Sequence, residues 1–243
     1  MDALTSAAYQ HYRQHSDEIV GWVEPGFFST LEDIEAMLRK HAVTGSVAEI
    51  GVHCGKLLLA MALVSGDRPQ VLAVDNFENG QGIRQNLESN IARFYDPALV
   101  SIVETDSMKT SGRALLEKLP QHAKYFSVDG YHQAEFVFND LMIAQDVICN
   151  GGVVIVDDYL SPAWIGVLEA VFEFCRSPAR KIAPFAYGEN KLLLTTLQQR
   201  DAYFEHFKAL DGRHATRIGS YSCAYFKPDT KWFAGTWNAN SDN

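Results

Sequence analysis

The sequence has no C-x-x-C pair, and its four cysteines, Cys54, Cys149, Cys175 and Cys223, lie far apart along 243 residues. That spacing excludes a zinc knuckle and a dithiol redox motif, and it is the pattern of reduced, mostly core thiols. Clusters of Lys and Arg are also lacking. With 30 acidic against 21 basic residues and a formal charge of −9, the chain has no basic face on which a nucleic-acid backbone would be neutralised. The longest apolar run, Leu57 to Val64, is too short to cross a bilayer, and the first residues lack a charged-then-apolar signal pattern. The expectation is a soluble cytoplasmic protein without a membrane or nucleic-acid partner. Repeats, low-complexity segments and Pro- or Gly-rich linkers are absent as well, so one domain with additions at each end is expected: a helical extension over 1–45, a core over 46–197, and a helix and tail over 198–243.

What is present centres on Gly151-Gly152-Val153-Val154-Ile155-Val156-Asp157-Asp158-Tyr159. A run of β-branched residues delivered by a Gly-Gly turn reads as a strand buried on both faces, as in a parallel sheet covered by helices. Upstream, Tyr125-Phe126-Ser127-Val128 is a second strand ending in Asp129-Gly130-Tyr131-His132. Between them, Ala134 to Ile148 carries a helical apolar stripe at Phe136, Phe138, Leu141, Met142, Ala144, Gln145 and Ile148. A right-handed strand-helix-strand crossover places both strands side by side and parallel, so that Asp129, Asp157 and Asp158 emerge at one edge, where open α/β sheets bind ligands. Three carboxylates in one cleft call for a proton or a cation between them. Carboxylates with neither a cysteine nor a histidine pair beside them make a hard oxygen site suited to Mg²⁺, Mn²⁺ or Ca²⁺. The plain alternatives are a helix cap for Asp157, a surface role for Asp158 and a solvated first-turn position for His132.

The amino-terminal half supplies a second constellation. A helix over Leu4 to Ser16 bears the surface histidines His11 and His15, and the aromatic turn from Val20 to Phe28 suggests a domain or subunit contact, leaving a homo-oligomer open. A helix begins at Thr30 and ends near His41. Strand Ser46 to Ile50 then runs into Glu49-x-Gly51-x-x-x-Gly55 and a helix from Lys56 to Val64. Glycines at such a turn let a ligand lie against the backbone. The second strand, Gln70 to Val74, ends in Asp75, 75 − 51 = 24 residues after Gly51, where a carboxylate accepts hydrogen bonds from ribose hydroxyls. The third glycine of a dinucleotide fingerprint is missing, so a nicotinamide dinucleotide is the weaker option. A third strand, Val100 to Glu104, leads to Asp106 and Ser107, and Asp106 reads equally as a helix cap. The loop Glu78 to Gly82 opens the following helix and is placed to act as a lid. Lys181 to Tyr187 and Lys191 to Thr196 flank Gly188-Glu189-Asn190 as a hairpin, and a further strand is suggested near Tyr221 to Phe226 before a tail with Trp232 and Trp237.

The turn, Asp75 and the terminal hairpin resemble the class I S-adenosylmethionine-dependent methyltransferases. The middle strands sharpen this: Ser127 to His132 and Asn150 to Tyr159 resemble the metal-dependent O-methyltransferases, most of all those acting on sugar hydroxyls of macrolide and aminocoumarin antibiotics. The resemblance spans roughly Val47 to Thr196. It implies a doubly wound, mostly parallel seven-stranded sheet with a carboxy-terminal antiparallel hairpin strand, a Rossmann-like α/β fold. It further implies S-adenosylmethionine bound by Glu49, Gly51, Gly55, Asp75, Asp106 and Ser107, and Mg²⁺ or another divalent cation bound by Asp129, Asp157 and Asp158. His132 is the implied general base beside the catalytic Asp129, and the substrate is a small-molecule hydroxyl. Catechol methyltransferases end the fifth strand in Asp-Asn, so Asp-Asp leans mildly to the sugar-modifying branch. The rival readings are a metal-dependent hydroxylase on the same scaffold and a non-catalytic cofactor-binding protein.

Overall fold

The computed structural model describes residues 6–210 and 213–226. In chain order the elements are α1 (Ala7–His15), α2 (Phe27–Lys40), β1 (Ser46–Ile50), α3 (Lys56–Ser65), β2 (Val71–Asp75), α4 (Ile83–Phe94), β3 (Val100–Glu104), α5 (Gly112–Leu116), β4 (Ala123–Val128) and α6 (Ala134–Val147). They continue as β5 (Ile148–Val156), α7 (Ile165–Arg176), β6 (Ile182–Gly188), β7 (Lys191–Thr196), α8 (Arg200–Lys208), β8 (Arg213–Ile218) and β9 (Tyr221–Phe226). The strands form one sheet in the order β3-β2-β1-β4-β5-β7-β6-β9-β8. The first five are mutually parallel, and β7 runs antiparallel to both β5 and β6. Strand order reverses between β1 and β4, so the crevice of a doubly wound sheet opens at the carboxyl ends of these two strands.

Both faces of the central strands are buried, as their unbroken apolar sequences require. Tyr125, Val153 and Ile155 join the core shared with α1, α2 and α3, whereas Phe126, Val154 and Val156 join the core under α6 and α7. Helix α3 is buried along Leu57 to Ser65 and stops at Gly66, whose φ of 73° gives it a left-handed cap. The amino-terminal extension is tied to the core by the Tyr12 hydroxyl, which donates to the Lys56 carbonyl. No helix among the described residues is long and apolar enough to cross a membrane.

Four expectations are corrected. Among the described residues the sheet has nine strands, because β8 and β9 form a hairpin whose second strand pairs in parallel with β6 and covers what would otherwise be an exposed edge. Gly151 and Gly152 lie inside β5, at a register irregularity where Ala123 opposes Ile148 but Tyr125 opposes Val153. A Cβ on Gly152 would stand 2.8 Å from the Ala123 carbonyl oxygen, so this pair is an in-strand bulge. Helix α2 starts at Phe27, three residues early, which buries Phe27 and Phe28 in the helix face. The core face of α6 is Val137, Leu141, Ile143, Ala144 and Val147, leaving Phe136, Phe138 and Met142 half-buried. Apolar residues on nearly every side of that helix blur its period.

Candidate active site

A cleft of about 1190 Å³ opens at the carboxyl edge of β1, β2, β4 and β5. Its wall includes Glu49, Gly51, Asp75, Asp106, Ser107, Asp129, His132, Asp157 and Asp158. Of the site residues expected from the sequence, Gly55 alone is not in the wall. It adopts φ 84° at the amino-terminal cap of α3, and a Cβ there would meet Leu87 at 2.7 Å. Its task is helix entry and packing. Gly51 also has φ 84°, and a Cβ would lie 1.8 Å from the Asp129 carbonyl oxygen. Glycine is required here because the ends of β1 and β4 approach so closely.

The Asp75 carboxylate is held in place by the turn it faces. One oxygen accepts the His53 backbone N–H at 2.8 Å and the other accepts the Phe77 N–H at 2.7 Å. Each oxygen keeps a lone pair for a ligand hydroxyl. Glu49 is buried at the end of β1, with Oε2 lacking a hydrogen-bond partner. Burial, reinforced by Asp129, pushes its carboxyl well above the usual range. Asp106 performs the capping role that the sequence left open, accepting the Met108 N–H at 2.9 Å, while still facing the cleft beside Ser107. Beneath Ser107 sits buried Asp140, raised to about 6 by burial against the lowering effect of Ser107 and Asn139.

The acid cluster follows from parallel pairing. Val128 opposes Val156, and the Asp157 N–H donates to the Val128 carbonyl at 3.0 Å, so the loops after β4 and β5 leave the sheet at one level. His132 Nε2 lies 3.5 Å from Asp129 Oδ1 and 3.0 Å from Asp158 Oδ2. Donor atoms of Asp129, His132 and Asp158 all fall within 4.8 Å of one another. The imidazole stacks on Trp164, with ring centroids 4.7 Å apart. Burial depresses the His132 pKa, but the Asp129 and Asp158 carboxylates beside Nε2 outweigh it and raise the group to about 9. Burial and the Asp157 carboxylate raise Asp129; Asp158 resists its own burial and is lowered by the His132 contact. Without a counter-ion, this corner takes up protons to relieve its negative charge.

Asp157 is arranged differently from its two companions. Its Oδ1 accepts the Asp158 N–H at 2.7 Å, and its Oδ2 is ion-paired with Lys191. Lys191 is fully buried and also lies 3.6 Å from Glu24. Burial opposes its charge, yet Asp157, Glu24 and Asp129 overcome that and hold the ammonium protonated. Asn190 donates to Asp158 Oδ1 at 2.7 Å. Neither Asn190 nor Lys191 was picked out from the sequence. The signal was the hairpin: a strand antiparallel to β5 must begin where β5 ends, so the first residue of Lys191-Leu192-Leu193-Leu194 lands beside Asp157.

The mouth of the cleft is aromatic. Trp22 is 83% exposed and tilts over His53 at 6.0 Å, and Leu160 and Trp164 line the same cleft. The segment expected at a domain or subunit contact therefore forms, over Val20 to Glu24, one wall of the cleft. Trp232 and Trp237, the tail aromatics, lie outside the described residues.

The doubly wound sheet with its terminal antiparallel strand is the Rossmann-like fold that the resemblance to the class I S-adenosylmethionine-dependent methyltransferases implies. Residues 48–159 match the family model of a methyltransferase domain. No curated protein sequence matches the chain. Among solved structures, the fold is similar to the O-methyltransferase NovP, at 17% identity and TM-score 0.56 over 71% of this chain and 80% of that one. It is likewise similar to the Bacillus cereus O-methyltransferase in complex with SAH, at 12% identity and TM-score 0.56 over 79% and 91%. A third is CalS11, a TDP-rhamnose 3'-O-methyltransferase of calicheamicin biosynthesis, at 18% identity and TM-score 0.51 over 77% and 92%.

Proposed function

We propose that this protein transfers the methyl group of S-adenosylmethionine to a hydroxyl oxygen of a small molecule, assisted by a divalent cation such as Mg²⁺. The observation that carries this reading is the convergence of Asp129, His132 and Asp158 in the same cleft as Asp75. The residues fit both groups. Asp75 retains free lone pairs at the ribose position, and the cleft exceeds the roughly 300–1,000 Å³ of a single-ligand pocket, leaving room for cofactor and acceptor together. Two carboxylates suit a cation that prefers oxygen donors, with the imidazole left beside them as a base, and the raised pKa values of Glu49 and Asp129 mark negative charge in excess of its compensation.

When bound, the sulfonium supplies an electrophilic methyl and the cation favours the ionised acceptor oxygen. The chain itself orients and deprotonates. Asp129 and Asp158 would hold the ion, and Asp75 would hold the ribose. Neutral His132 would take the acceptor's proton at Nε2, with Trp164 fixing the ring plane. Val20, Trp22, Leu160 and Trp164 offer flat and apolar surfaces to a ring-bearing acceptor, such as a sugar or another natural-product alcohol. Methyl-labelled S-adenosylmethionine incubated with a panel of such alcohols and Mg²⁺ is expected to place label on oxygen. Label found only on nitrogen or carbon would overturn the reading.

The cofactor half has its own test. Asp75→Ala removes charge-assisted hydrogen bonds of about 1.5–3 kcal/mol, so S-adenosylmethionine affinity measured by titration calorimetry should fall roughly 10–150-fold. Asp75→Asn, which keeps an acceptor for the His53 or Phe77 N–H, should lose less. Equal affinity in wild type and Asp75→Ala would remove Asp75 from the cofactor site.

A further inference from the structure

We infer that the acceptor is a ring-bearing alcohol without a phosphate or carboxylate, held at the mouth of the cleft by Trp22, and that the same ring is rejected once it carries an anionic group. This rests on the proposed methyl transfer and narrows its substrate class.

Two observations carry it, and the first is where the molecule leaves apolar surface uncovered. Eight large apolar side chains are exposed among the described residues, and five of them, Val20, Trp22, Tyr131, Leu160 and Trp164, line this one cleft. Exposed apolar surface gathered at a concave site marks a place for a ligand. Trp22 is the most exposed of the eight, so a ring stacked on its indole would remove more apolar surface from water than at any other of these positions.

The second observation is charge. Seven carboxylate side chains belong to the cleft wall, but among the described residues the one ammonium in it is that of Lys56. Lys56 is already committed, because its Nζ donates to the Gly21 carbonyl at 3.2 Å and lies 3.9 Å from Asp17. Lys191, behind the wall, is paired with Asp157. A divalent cation and a sulfonium would bring three positive charges, which with Lys56 makes four against the seven carboxylates. Burial pushes Glu49 towards its neutral form, yet the acids still outnumber the cations once Asp157 is set against Lys191. The apolar side of the wall, residues 20–23 and 160–164, contains no charged residue at all. A phosphate or carboxylate entering here would lose water and gain no cation, while meeting the field of the acids beneath. An uncharged ring meets no such cost.

The test is read in binding, with Mg²⁺ and the demethylated cofactor S-adenosylhomocysteine present so that no turnover occurs. Phenyl β-glucoside and its 6-phosphate are the matched probes, followed by calorimetry or ligand-observed NMR. The phosphorylated probe should bind about tenfold or more weakly than the uncharged one. Trp22→Ala should weaken the uncharged probe roughly 3–10-fold, with S-adenosylhomocysteine affinity kept within about threefold. Ala163→Lys, which sets a cation in the uncharged loop, should narrow the gap between the two probes. An uncharged probe that binds no more tightly than the phosphorylated one, or not at all, overturns the inference. So does a gap that Ala163→Lys leaves unchanged, or a Trp22→Ala variant that loses the cofactor product as much as the probe. A dimer that Trp22→Ala dissolves would hand the surface to a second copy of the chain and overturn it too. Failure to place labelled methyl on any oxygen is a different result, because it removes the methyl transfer and leaves the binding preference standing.

Discussion

His132→Ala is expected to lower kcat by about 10²–10⁴-fold, the usual contribution of a general base, while leaving S-adenosylmethionine affinity nearly unchanged. The imidazole lies between Asp129 and Asp158, and its stacking on Trp164 keeps it from rotating away. Its ionisation adds a pH signature. A base must be unprotonated to act, so the rate should rise with pH along an acidic limb set by His132. Without a cation the two carboxylates raise that pKa to about 9; a positive ion beside them works in the opposite direction, so added Mg²⁺ should move the limb to lower pH. Stability follows the linkage rule. A histidine whose folded pKa lies above its unfolded value contributes stability that is complete below about 6.5 and is lost as pH rises through about 9. In metal-free protein, His132→Ala should therefore flatten the fall in melting temperature over this window. A variant that keeps the acidic limb and loses less than about tenfold in rate would place the base elsewhere.

Chelation is expected to have the other large effect. With excess EDTA, turnover should fall to background and return on adding Mg²⁺ or Mn²⁺. An ion that binds only the folded state also stabilises it, by about 2.7 kcal/mol at one hundred times its Kd. For a domain of this size each kcal/mol is worth about 2–4 °C, so saturating cation should raise the melting temperature by roughly 5–10 °C. The increment should shrink in Asp158→Asn, which loses a ligand charge. The two readouts guard each other, because a cation needed only for stability would restore the melting temperature without being required for turnover at low temperature. Full activity in excess EDTA would exclude a metal-assisted reaction.

Both arguments depend on a corner of the molecule that was partly legible beforehand. Apolar runs ending in acids, at Val74-Asp75, Val128-Asp129 and Val156-Asp157, identify parallel strands and the edge at which they end, because burial on both faces leaves no other arrangement for such sequences. That reasoning extends to the strand-helix alternation and to the presence of Asp75, Asp106, Ser107, Asp129, His132, Asp157 and Asp158 in one cleft. At the sheet's far edge it placed β9 but neither β8 nor the joining of the two to the sheet, because their pairing depends on an edge already formed. It failed for Gly55, since a glycine demanded by packing against Leu87 and one lining a cleft look the same in a string of letters.

Local sequence therefore determined which carboxylates reach the cleft, since strand direction and period dictate that alone. Which of them face one another was decided only in three dimensions. Adjacent in sequence, Asp157 and Asp158 diverge because the left-handed turn at Asp158 sends one carboxylate to Lys191 and the other to His132. The partner that separates them lies on β7, more than thirty residues away, and arrives beside Asp157 through antiparallel pairing with β5. Electrostatic roles of this kind depend on distances between side chains brought together by pairing, and no spacing within a single segment encodes them.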